Sequence, residues 1–179
     1  TRVRSSAASD VYKRQDIKLE SNRNLKALYS PGHAKHHYSF YDEFSGTLFM
    51  GDTLGLIYPH GDFVQPNLPP PDFDKEILFK TLDSFEKLEI NQLAIAHFGI
   101  HKNARELIKD AKESIENWIL FISNIENLSN DDASNELLKW LIRNYESLGI
   151  DNETINNYIG NGNFVMQIEG IRNYLRRRS

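Results

Sequence analysis

"YSPGHAKHHYSFYDEFSGTLFMGDTLG", from Tyr29 to Gly55, is the stretch whose reading decides the fold. It sets His33, His36, His37 and Asp52 around two short apolar runs. Just upstream, "LKALYS" (Leu25–Ser30) reads as a strand stopped by the turn pair Pro31-Gly32. "HYSFY" (His37–Tyr41) and "TLFMG" (Thr47–Gly51) read as two more strands, and "DEFSG" between them offers the Ser-Gly turn of a hairpin. His33 and Asp52 then each fall where a strand runs out into a loop. Strand ends collect functional side chains because a rigid sheet aims them while the loop leaves room for a ligand.

Downstream lies a long loop, Thr53 to Asp72, with every proline except Pro31, including the run Pro69-Pro70-Pro71. Flanked by Val64 and Phe73, that run reads as an ordered wall rather than a floppy linker. In "FDKEILFKTLDSFEKL" (Phe73–Leu88) the residues Ile77, Leu78, Thr81, Leu82, Phe85 and Leu88 recur at helical spacing, and Asp72 or Asp74 can cap the start. "QLAIAH" (Gln92–His97) reads as a buried strand that ends on a histidine. From Asn103 the pattern is helical. Leu107, Ala111, Ile115, Trp118, Ile119 and Ile122 form one stripe, and Leu137, Leu138, Leu141, Ile142 and Tyr145 form another, entered by Ser129 and Asp132 as a capping box. Gly160 and Gly162 separate a short helix from a last one ending in Arg176-Arg177-Arg178. The order of elements is that of an α/β domain with a helical tail.

A chain of 179 residues suits one domain with its own core. It contains no cysteine, which removes disulfide scaffolds, thiolate metal sites and thiol nucleophiles. The net charge of −4 argues against nucleic acid as a partner, and no apolar run approaches the length of a membrane span. These features set the expectation of a cytoplasmic protein with a small-molecule partner and no membrane partner. The first fifteen residues read differently. One reverse translation of "DVYKRQ" (Asp10–Gln15) matches the transposon end joined to DNA in sequencing-library preparation. Residues 1–15 are therefore expected to be a disordered assembly scar. The domain proper is expected over 16–102, and the helical tail over 103–179.

His33, Asp52 and His97 all sit at strand ends. Imidazole nitrogen and carboxylate oxygen are the usual ligands of catalytic zinc, and a carboxylate can bridge two ions. Each has a plainer reading alone: a histidine after Pro-Gly or an aspartate after Gly is common in turns.

Together, "YSPGHAKHHYSFY", "GTLFMGDTLG" and "LAIAHFG" resemble the C-terminal half of the metallo-β-lactamase superfamily of metal-dependent hydrolases, and the resemblance runs from Leu25 to the end. It implies an αββα fold, of which this chain carries the C-terminal half only. It also implies that His33 binds a first metal, that Asp52 bridges two, and that His97 binds the second. In an intact relative, two zinc ions and a bridging hydroxide would hydrolyse an ester, thioester, lactone or phosphoester. The family's His-x-His-x-Asp-His signature is absent here, since all six histidines lie at or after His33. Two protein ligands per ion fall below the usual three. The chain as written is therefore expected to bind metal weakly and not to catalyse.

The remaining candidates lie around this core. His37 is placed to hydrogen-bond a ligand residue, while His36 reads as exposed. Tyr58, His60 and His101 are expected near the mouth of the site. The terminal arginines read as a solvated helix end. Two other functions compete. One is a mononuclear iron dioxygenase of the same fold, using two histidines and one aspartate. The other is a non-catalytic binding module, with Trp118, Trp140 and Tyr145 on its helical stripes. Half of a two-sheet fold would leave one sheet face and one edge uncovered, which predicts low solubility.

Overall fold

The computed structural model describes residues 14–19, 23–58, 63–97, 99–159 and 164–178. Six strands form one sheet in sequence order: β1 (Arg14–Lys18), β2 (Asn24–Tyr29), β3 (Tyr38–Asp42), β4 (Thr47–Gly51), β5 (Gln92–Ile95) and β6 (Ile100–His101). Neighbours are antiparallel except β4 and β5, which run parallel. The crossover between those two carries helix α1 (Lys75–Phe85), capped by Asp74, whose carboxylate accepts from the Ile77 N–H at 3.1 Å. Asp72, the other candidate cap, instead pairs with Lys35 at 3.0 Å. Helices α2 (Ala104–Asn124), α3 (Asn130–Ser147), α4 (Asn152–Tyr158) and α5 (Val165–Arg176) complete the chain. Ser129 caps α3 as its sequence predicts, accepting from the Asp132 N–H at 3.1 Å.

Strand direction places the ends. Both β2 and β4 are antiparallel to β3, so they share a direction, and β5 follows β4. The C-terminal ends of β2, β4 and β5 therefore lie at one end of the sheet, together with the start of β3.

The two faces of the sheet differ. Leu48, Met50 and Leu93 are fully buried and join the core with Leu78 and Leu82 of α1 and Ile108 of α2. Phe40 pairs with Phe49, and Ala94 with both Phe49 and Ile100, so these residues share the opposite face. There Phe49 is 44% exposed and Ile100 61%. Among the described residues this face is thus apolar and partly exposed.

The long loop is a wall, as expected: Leu54, Ile57, Val64 and Leu68 are all buried. The last helix clamps it. Arg177, expected in a solvated helix end, donates to the Pro71 carbonyl at 2.8 Å and to the Phe73 carbonyl, while Arg178 pairs with Glu76. One guanidinium thus ties the end of the chain to the backbone of the wall.

Two boundaries change. Arg14 and Gln15, assigned to a disordered segment, stand opposite Leu28 and Ala27 in β1, because their backbone extends the ladder of β2. The rest of the segment, residues 1–13, lies outside the described residues. Strand β6 has no counterpart in the sequence reading, since two residues carry no periodic signal. Among the described residues, no helix is long and apolar enough to cross a membrane.

Candidate metal centre

His33, His37, Asp52 and His97 all stand at the same end of the sheet, but they are held differently. His33 is buried at 8% exposure, and its Nδ1 lies 2.8 Å from the Asn67 carbonyl oxygen. A carbonyl can only accept, so Nδ1 carries the proton and Nε2 keeps a lone pair. The loop around it is fixed from two sides. Thr81 of α1 donates to the Pro31 carbonyl at 2.7 Å, and the Asp74 N–H donates to the Gly32 carbonyl at 2.9 Å. Asn67 is fixed in turn by α5. A methyl group on Gly170 would lie 1.8 Å from the Leu68 carbonyl oxygen, so only glycine lets the helix approach.

His37 is used on both ring nitrogens. Its Nε2 accepts from the Asp52 N–H at 3.3 Å, which leaves the proton on Nδ1. That nitrogen faces Ser30 Oγ at 2.7 Å and Thr53 Oγ1 at 3.0 Å. Burial lowers the basicity of the ring, and His33, 5.8 Å away between ring centres, lowers it further; Asp52 opposes and His36 adds a smaller push down. A neutral imidazole suits this bonding. Gly51 makes room for it: its φ is +57°, and a Cβ there would meet His37 Nε2 at 2.6 Å. The Gly-Asp step is thus required by the histidine behind it.

Asp52 and His97 follow the parallel strands β4 and β5, tied by the Ala96 N–H donating to the Gly51 carbonyl at 3.1 Å. Asp52 Oδ1 is buried and makes no hydrogen bond. It faces His97 Nε2 at 3.3 Å. Two ligands of one tetrahedral zinc, each about 2.1 Å from the ion, stand about 3.4 Å apart. An orphaned carboxylate oxygen at that distance from an imidazole nitrogen fits a shared cation. Among the described residues, no three such side chains gather around one point. The structure therefore brings Asp52 and His97 together and leaves His33 beside His37.

The outlying candidates scatter. Tyr58 packs against Phe63 and its hydroxyl accepts from Gln65 at 3.3 Å. His101 stands opposite Leu93 in the β5–β6 hairpin, back from the turn that carries His97, and its Nε2 is buried without a hydrogen bond. His36 is exposed, as expected. His60 lies outside the described residues. The Asn67 carbonyl was missed, and no side-chain signal could have revealed it, because a backbone oxygen has no residue signature.

Comparison with known proteins bears on this arrangement. A family model, the metallo-beta-lactamase superfamily, matches residues 4–97. A solved metallo-beta-lactamase family protein from Thermus thermophilus aligns with 92% of this chain and 47% of its own, at 18% identity and a TM-score of 0.60. An archaeal metallo-beta-lactamase superfamily protein from Sulfolobus tokodaii is 25% identical over 56% of this chain and 36% of its own, with a TM-score of 0.47. The apo state of the chemotaxis sensor ODP from T. denticola is 21% identical over 56% of this chain and 48% of its own, with a TM-score of 0.46. This chain thus spans less than half the length of these structures. No curated protein matches it. With a profile match over more than half its residues and a sheet that aligns with the same fold, the chain belongs to the metallo-beta-lactamase superfamily.

Proposed function

We propose that the chain supplies the C-terminal half of a metal-dependent hydrolase centre, with His33, Asp52 and His97 as its metal ligands. The observation that carries this reading is the buried, unbonded Asp52 Oδ1 facing His97 Nε2 at 3.3 Å. A pair of zinc ions held there would supply Lewis acidity and activated water for cleavage of a small ester, thioester, lactone or phosphoester. The chain's own residues hold and orient. His33 offers the Nε2 lone pair left by its bond to Asn67, and His37 fixes the backbone of Asp52. The absence of cysteine and the acidic charge support a cytoplasmic setting and a small-molecule partner, without nucleic acid or membrane.

With two protein ligands per ion, binding is weak and turnover by this chain alone is negligible. Equilibrium dialysis of the full chain against zinc tests the reading. The expected result is weak, saturable uptake that Asp52→Ala and His97→Ala each abolish while circular dichroism stays unchanged. Uptake that survives both substitutions would overturn the ligand assignment. Metal analysis of a longer chain with the His-x-His-x-Asp-His segment separates two zincs from one iron, and the latter would redirect the chemistry towards oxygen activation.

A further inference from the structure

Away from the sheet, a groove of about 600 Å³ opens between α2 and α3, and its lining includes none of His33, Asp52 or His97. Its size lies within the range of small-molecule pockets, about 300–1,000 Å³. Its walls are aromatic: Trp118, Trp140, Tyr145 and Phe63. Its rim is acidic, with Asp110 and Glu113 nearly one turn apart on α2, and no lysine or arginine among its described lining residues.

The rings are held in place before any ligand arrives. Tyr145 stacks on Phe63 with centroids 3.9 Å apart, and Trp140 stacks on Phe121 at 4.9 Å. Trp118 and Tyr145 are buried, at 1% and 6% exposure, and line the floor of the groove. The Asp110 carboxylate is poorly compensated. Burial, and then Glu106, holds the Asp110 carboxyl above its usual range; Lys109 pulls the other way and Glu113 adds to the rise.

We infer that this groove binds a small aromatic amine, its ammonium between Asp110 and Glu113 and its apolar body on the aromatic walls. A cation gains from both the carboxylates and the ring faces. An anion of the same shape would meet two like charges and no counter-charge. The inference is independent of the metal centre.

The chain's two tryptophans both line the groove, so the two indole N–H signals in a ¹H–¹⁵N spectrum of the full chain report on it directly. Tyramine is the probe, and 4-hydroxyphenylacetate, with the same ring and the opposite charge, is the control. Tyramine is expected to shift both signals saturably, with affinity at least about tenfold lower in Asp110→Asn/Glu113→Gln. The control is expected to leave them still. If the double variant loses its folded spectrum, Glu113→Gln alone, at an exposed position, takes its place with a smaller loss of affinity. No saturable shift, an equal response to the anion, or an unchanged affinity in a folded variant would each overturn the proposal.

Discussion

His33 and Asp52 stand at the same end of one sheet, yet the protein treats them in opposite ways. The His33 corner is buttressed: α1 holds Pro31, the wall holds its imidazole, and α5 holds the wall. At the other corner Asp52 is half-buried, with an oxygen that has no hydrogen bond and with His97 set opposite it. The difference teaches that one corner is built into the fold's stability while the other is not; under the proposed function, a bound ion would complete the second. Buried polar groups are costly unless satisfied, so an orphan kept at a strand end marks a place where stability has been given up.

Substitutions can break this contrast. The largest effect is expected from Gly170→Ala, which drives a methyl group into the Leu68 carbonyl and shifts the wall that carries Asn67. Overpacking of this kind costs about 1–3 kcal/mol, read as a lower urea midpoint with an unchanged slope. Thr81→Val comes next. It leaves the Pro31 carbonyl without its buried donor and is expected to cost about 1–2 kcal/mol by the same measurement. The smallest effect belongs to the open corner. Asp52→Asn is expected to change stability in zinc-free buffer by less than about 0.5 kcal/mol, because the carboxylate oxygen it replaces has no hydrogen bond to lose. Should Asp52→Asn prove as damaging as Gly170→Ala, the two corners would be equally structural and the contrast would fail.

Much of this was legible before any coordinates. The strand Thr47–Gly51 has the bounds its sequence suggests, because an apolar run between Ser-Gly and Gly-Asp has clear stops. Helix α1 and the stripes of α2 and α3 follow from spacing alone. His33, Asp52 and His97 stand out because turn chemistry ends each strand beside them. Other features were hidden. Strand β6 is too short to show a period, and β1 begins inside the segment expected to be disordered. The terminal arginines looked solvated because their partners are backbone carbonyls of Pro71 and Phe73, far away in sequence.

By itself, the sequence determined the order of β2 to β5 and of the helices, and the kinds of side chain that end those strands. Those properties are local: they follow from backbone preferences of Pro and Gly and from the two periods of apolar residues. The tertiary structure alone decided which side chains meet. That Asp52 faces His97, that His33 spends its Nδ1 on Asn67, and that Asp110 and Glu113 rim an aromatic groove depend on how distant segments pack. Packing is a property of the whole core, and no short window of residues contains it.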